Sequence, residues 1–225
     1  MTRRRSVVSL AGGLAAAVVA LGGTIAAAAS LPITAKKLTA FTAASTVPLS
    51  SCTLTAAADS YVDGAVLNSG SNFGTATTLS VRSDVLGNRR AFARFDLSGC
   101  TGFTNPRITS ATVQLFLSTA PSSSRTYQLH RVTATWSETG ITWSNQPATA
   151  ASATATVDTG TTSGVTLSWT VTSDVQSFAD GTTTNFGWRV RDATEDALTA
   201  VTGTFASRED GTATRRPKLV VSYYP

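Results

Sequence analysis

Three features of the chain predict an all-β fold: an antiparallel two-sheet β-sandwich with a jelly-roll-like path and one short helix. The first is alternation. Ala111, Val113, Leu115 and Leu117 point one way while Thr112, Gln114, Phe116 and Ser118 point the other. Val165, Leu167, Trp169 and Val171 alternate with Thr166, Ser168 and Thr170, and Phe186, Trp188 and Val190 with Gly187, Arg189 and Arg191. A run of period 2 buries one face and wets the other, as strands of antiparallel sheets do. The second feature is composition: Thr, Ser, Val and Gly are abundant and only 14% of residues are charged, which suits a pleated, half-buried surface. The third is punctuation, with turn pairs at Asp63-Gly64, Ser69-Gly70, Gly87-Asn88, Asp180-Gly181 and Asp210-Gly211. About ten strands of this kind imply two sheets packed face to face.

The first 29 residues read as a signal peptide. Arg3, Arg4 and Arg5 form the positive start, Val7 to Ala29 is apolar, and Ala26 to Ala29 supply small cleavage positions before Ser30. The apolar run is about long enough to cross a bilayer, so an uncleaved anchor is the alternative. Its Ala and Gly content and small-residue end favour cleavage. The protein is therefore expected to be secreted, extracellular, and free of the membrane once the signal is removed. Three of the 18 Lys and Arg residues lie in that segment, leaving 15 against 13 Asp and Glu. No basic run interleaves with aromatics, so nucleic acid is not an expected partner. Residues 30–50, with Pro32, Pro48 and Lys36-Lys37, keep no period and read as a linker. Residues 51–225 have the length of one domain, expected to act as a monomer.

Within that domain the largest side chains gather between Thr135 and Pro147. Trp136 and Trp143 are two of the chain's four tryptophans, and each offers roughly 150–250 Å² for burial. Ile141 and Trp143 alternate with Thr142, which predicts a short strand, while Ser137, Thr139 and Gly140 read as a turn. Both indoles are expected to plug the core, as is Trp169; the sharper alternative is a sugar-stacking platform. One helix is expected near Val175 and Phe178, capped by Thr172 or Ser173 and ended by Gly181, closing one end of the sandwich. Cys52 and Cys100 are the only two cysteines. In a secreted chain an even pair implies a structural disulfide, here joining the first strand to the loop after Leu97.

Charges inside strand-like runs are costly unless paired. Arg94, Asp96, Arg208 and Glu209 are accordingly expected to form an ion-pair network knitting distant strands. The strand 89–97 turns Ala91, Ala93, Phe95 and Leu97 to the core and leaves Arg90, Phe92, Arg94 and Asp96 outside. Phe116 with Gln114 on the next strand, and Arg189 with Arg191 further on, extend that polar face. Arg90, Phe92, Phe116, Arg189 and Arg191 are thus the candidate carbohydrate-binding set: aromatic faces stack on sugar rings and guanidinium groups fork onto uronate carboxylates. The bland alternative is that loops cover the two Phe side chains and the Arg residues are only solvated.

The motifs resemble a known family. Ala58-Asp59-Ser60-Tyr61-Val62, Ala93-Arg94-Phe95-Asp96-Leu97, Ile108 to Leu117, Trp136 to Pro147, Trp169-Thr170-Val171-Thr172 with Val175, Ser207-Arg208-Glu209 and Arg216-Pro217-Lys218-Leu219-Val220-Val221 follow one another in the order found in the DNRLRE family. These are secreted β-sandwich modules related to a carbohydrate-binding module family, and the resemblance spans 51–225. It implies a module of the kind appended to extracellular enzymes and surface proteins, some of which bind uronic-acid polysaccharides such as alginate.

Enzyme readings fail on inventory. The single histidine, His130, lies in a strand-like run, and no H-E-x-x-H, G-x-S-x-G or phosphate loop is present. The adjacent carboxylates Glu195-Asp196 and Glu209-Asp210 face opposite ways on an extended chain, which is not a glycosidase pair. Asp59, Asp63, Asp84 and Asp192 sit near turns where sandwich modules hold Ca²⁺ through oxygen ligands, yet no D-x-D-x-D-G loop occurs and no metal or cofactor is expected. The sequence thus predicts a secreted, non-catalytic module for an extracellular, acidic polysaccharide. The alternative is a structural or adhesive surface protein without a specific sugar ligand.

Overall fold

The computed structural model describes residues 48–225; the signal peptide and residues 30–47 of the linker lie outside the described residues. The strands are β1 (Ser50–Asp63), β2 (Thr78–Ser83), β3 (Arg89–Phe95), β4 (Arg107–Thr119), β5 (Thr126–Arg131), β6 (Ala155–Asp158), β7 (Val165–Thr170), β8 (Trp188–Asp192), β9 (Val201–Ala206) and β10 (Lys218–Tyr224). One α-helix, α1 (Thr172–Ala179), lies between β7 and β8. The chain is mostly β, as its alternation requires.

The pairing differs from two separate sheets. The order β1-β10-β4-β9-β2-β3 returns to β1 and closes a six-stranded barrel, with β8, β5 and β6 continuing from β3 and β7 lying on β4. The cause is local. Ser50–Thr55 of β1 pair with β10, whereas Ala56–Asp63 pair with β3, and the register shifts between Ala56 and Ala58. A bulge of one residue bends and twists a strand, so one long strand serves two neighbours and removes an open edge.

The alternating residues line the inside as read. Ala111, Val113, Leu115 and Leu117 of β4, Leu167 and Trp169 of β7, and Trp188 and Val190 of β8 join one buried cluster. Phe186 does not follow Trp188 inward. Gly187 has φ +78, and a Cβ there would stand 2.2 Å from the Ala93 carbonyl oxygen. Only glycine fits that conformation so close to β3. The turn sends Phe186 outward instead, against a second, smaller cluster.

Helix α1 buries Val175 completely and rests Phe178 on the main cluster. Its start is not capped as expected: Val171 holds the N-cap position without a side-chain bond. The Thr172 hydroxyl accepts from the Ala111 N–H at 3.0 Å. Gln176 replaces the cap as fastener, accepting from the Ile108 N–H at 2.8 Å and donating to the Pro106 carbonyl at 3.0 Å. Gly181, with φ +67, ends the helix.

Cys52 and Cys100 form a disulfide with Cα atoms 5.6 Å apart and a sequence separation of 48. It ties the start of β1 to the end of a 3-10 turn over Leu97–Gly99. Closing a loop of that length stabilises by about 4 kcal/mol in the chain-entropy picture. Replacing both cysteines by Ala is expected to cost a similar amount in urea unfolding, with the native far-UV spectrum kept. A double variant as stable as the wild type would refute this.

Candidate functional site

The polar side of β3 is where strand alternation and tertiary packing meet. Phe92 lies opposite the core residues Ala91 and Ala93 in the alternation, yet it is only 1% exposed. Residues 133–154 leave β5 as a long excursion and lie over β3. Trp136, Val132 and Ile141 meet Ala58, Val62 and Phe92 there in a second apolar cluster, with Trp143 and Phe186 at its margin. The Trp136 indole N–H donates to the Phe186 carbonyl at 2.8 Å, and its ring lies 5.8 Å from that of Phe92. Asn72 pins the excursion from outside, donating to the carbonyls of Glu138 and Ile141 at 2.8 and 2.7 Å. No strand forms over Ile141–Trp143, because Asn145 takes the Thr142 N–H at 2.7 Å and donates to the Gly140 carbonyl. That asparagine satisfies the backbone locally, and no ladder is needed.

Phe92 is therefore a packing residue and not a sugar platform. Phe116 is also displaced from the expected face. β4 follows β3 in sequence but pairs with β10, β7 and β9, and Phe116 lies under the Arg215 guanidinium at 5.1 Å. The three arginines do converge. β3 and β8 are adjacent, with Phe92 opposite Arg189, so Arg90, Arg189 and Arg191 share the outer face.

Their partners divide them. Arg90 forks onto Glu195 at 2.7 and 2.6 Å and donates to Gln146 at 3.0 Å. Its guanidinium lies over the Trp143 ring at 4.4 Å, and that ring is packed against Gly64, where an added Cβ would be 2.8 Å away. Arg191 donates to Gln128 at 2.9 Å and reaches Glu195 at 3.5 Å. Arg189 has no carboxylate within ion-pair distance among the described residues, and its Nε is buried without a partner. Burial, then the charges of Arg90 and Arg191, lower its pKa to about 10. Three guanidinium groups thus face one carboxylate, and Arg189 is not within ion-pair distance of it.

The four residues expected to knit strands together separate into different roles. Arg208 pairs with Glu138 at 2.7 Å and approaches Glu209 at 3.7 Å. Arg94 joins neither; its guanidinium lies 5.5 Å over the Trp136 ring. Asp96 is exposed and takes the Ser98 N–H at 3.0 Å, capping the 3-10 turn.

The profile of carbohydrate-binding module family 96 matches residues 50–223. The chain belongs to this family. No curated protein matches it. The match covers the barrel, the strands added to it and the excursion that carries Trp136 and Trp143. It agrees with the carbohydrate-binding part of the resemblance in the motifs.

Three of those motifs meet in space. Carboxylate oxygens of Asp59, Glu138 and Glu209 lie within 4.8 Å of one another. Arg208 stands among them, its N–H donating to Asp59 at 2.8 Å and its side chain to Glu138. The cation of this trio is thus supplied by the chain itself. Burial pushes the Asp59 carboxyl up to about 8. His130 is a packed residue, its ring nitrogens 3.0 Å from the Ala150 carbonyl and 3.2 Å from Gln128, and burial lowers its pKa.

Glu195, Gln128 and Gln146 were not legible as site residues. Glu195 reads in sequence as a solvated turn carboxylate; the surplus of arginine on the neighbouring strands was the available signal.

Two outcomes follow from this geometry. Trp136→Ala is expected to cost about 3–5 kcal/mol, the range for deleting a buried aromatic, and equal stability in urea would refute the packing role. Asp59 holds a proton in the folded state that it loses near 3.8 when unfolded. Folded protein binds more protons between those values, so stability falls as pH rises from about 4 towards 8. Asp59→Asn is expected to flatten that slope in thermal melts, and an unchanged slope would show that Asp59 is not the group responsible.

Proposed function

We propose that this chain is a secreted, non-catalytic carbohydrate-binding module, monomeric, on a jelly-roll-like sandwich scaffold, and that it binds an acidic, uronic-acid-type polysaccharide. The observation that carries the reading is Arg189, a half-buried guanidinium flanked by two others and lacking a counter-ion. An uncompensated buried charge costs stability, and an arriving carboxylate relieves that cost while accepting a planar fork. Arg90, held by Glu195 and Gln146 over Trp143, and Arg191, held by Gln128, are preorganised beside it. Family membership supports a sugar as the ligand.

The test is affinity electrophoresis in gels containing alginate, pectin or a neutral glucan. Retardation is expected in the acidic gels and is expected to fade with salt. Arg189→Met is expected to weaken binding about tenfold or more, the scale of one charged hydrogen bond, while raising the melting temperature. No retardation in any gel points to a structural or adhesive spacer, and retardation only in neutral glucan overturns the uronate reading.

A further inference from the structure

Arg94 and Trp136 have a use that packing does not explain. Arg94 makes no ion pair among the described residues, although Asp96 is two residues away and ionised. It lines an open pocket of about 480 Å³ with Ala57, Asp96, Thr184 and Asn185. Trp136, beneath its guanidinium, lines a second pocket of about 220 Å³ with Thr135, Ser137 and Asn145. Each member of this arginine–indole stack thus lines an open pocket of its own.

This stack repeats the one at the proposed site. Trp143 carries Arg90 at 4.4 Å and Trp136 carries Arg94 at 5.5 Å. Both arginines project from the same face of β3, four residues apart, which is about 13 Å along a strand. They differ in counter-ions. Arg90 is neutralised by Glu195, whereas Arg94 is itself free, as is Arg189, which faces Phe92 midway between them on the neighbouring strand.

We infer that Arg94 and these two pockets form a second sugar subsite, taking a further acidic residue of the same polysaccharide chain bound at Arg189. This rests on the uronate reading above. A uronate residue offers a carboxylate and several hydroxyl groups. The Arg94 fork suits the first, and Asp96 and Thr184 supply acceptors for the second. Asn185 is held in place by one N–H donated to the Phe95 carbonyl and by its oxygen accepting from the Gly187 N–H, which leaves its second amide N–H for the sugar. Asp96 also repels a second anion at its own wall, so the carboxylate belongs on the Arg94 side. The two subsites are diagonal neighbours on adjacent strands, about 7–8 Å apart at the backbone, and read chain length, since a short oligomer reaches one of them and a longer one gains the second as an intramolecular contact.

Titration calorimetry with oligoguluronates of increasing length, on wild type, Arg94→Gln, Arg94→Lys and Arg189→Gln, tests this, with the carboxyl-reduced polymer as neutral control. Wild-type affinity is expected to step up once the oligomer spans both subsites. Arg94→Gln is expected to abolish that step, a loss of about tenfold, while leaving the shortest binding oligomer unchanged. Arg94→Lys keeps the charge and is expected to keep part of the step; it also serves if the Gln variant disturbs the Trp136 loop, which the melting temperature reports. Arg189→Gln is expected to weaken every length. An Arg94→Gln protein that matches wild type at all lengths overturns the second subsite, as does equal weakening for acidic and carboxyl-reduced chains. If wild type binds no oligoguluronate while binding another glycan, the uronate reading fails and this inference falls with it.

Discussion

Placement of the Trp136 indole on the outer face of β3 governs how the rest of this surface is arranged. A six-stranded barrel has an inside that side chains fill by alternation and an outside that would ordinarily be wet. Here Phe92 stands on the outside and must be covered, at a gain of about 25 cal/mol per Å² of apolar surface removed from water. The excursion between β5 and β6 provides the cover, with Trp136, Ile141 and Val132 meeting Phe92, Ala58 and Val62. Because the excursion crosses the middle of β3, it leaves the strand's two outer arginines at its margins, each against one of its tryptophans. The apolar contact thus creates the spacing of the cations.

Counter-ion distribution then separates scaffold from site. Asp63, fully buried, takes Arg82 at 3.2 Å and Arg89 at 2.9 Å at the end of β1. Asp192 at the end of β8 takes Arg125 at 2.7 Å. Glu138 ties the Trp136 excursion to Arg208 after β9. In each case a largely buried carboxylate is matched by a guanidinium group, as a two-bond fork at Arg125–Asp192, the pairing that makes a buried charge tolerable. Arg189 and Arg94 depart from that pattern. Neither has a carboxylate within ion-pair distance among the described residues, and the proposed acidic ligand rests on that difference. Their neighbours are aromatic rings and amides, which suits a polyhydroxylated ring more than a free ion.

Much of the scaffold was legible because period 2 is a geometric consequence of extended backbone. The inside residues of β4, β7 and β8, the disulfide between Cys52 and Cys100, and the short helix around Val175 followed from spacing and residue type. The site was legible only in part. Arg90, Arg189 and Arg191 converge because β3 and β8 are neighbours. Phe116 does not join them because β4 pairs elsewhere, and Phe92 is lost to packing. Glu195, which holds Arg90 in place, gave no local sign of its role.

By itself, the amino-acid order determined which side chains of each strand point together, where the chain turns, and that two cysteines would be joined. The first two depend on residues one to four apart and on their intrinsic geometry, and the third on there being two cysteines in the chain. Tertiary structure decided which strands lie side by side, that β1 would serve two of them through its bulge near Ala57, and which arginines would find a carboxylate. Such outcomes depend on contacts between residues as distant as Arg90 and Glu195, 105 positions apart. Only the pairing of β8 with β3 brings those partners within reach of each other.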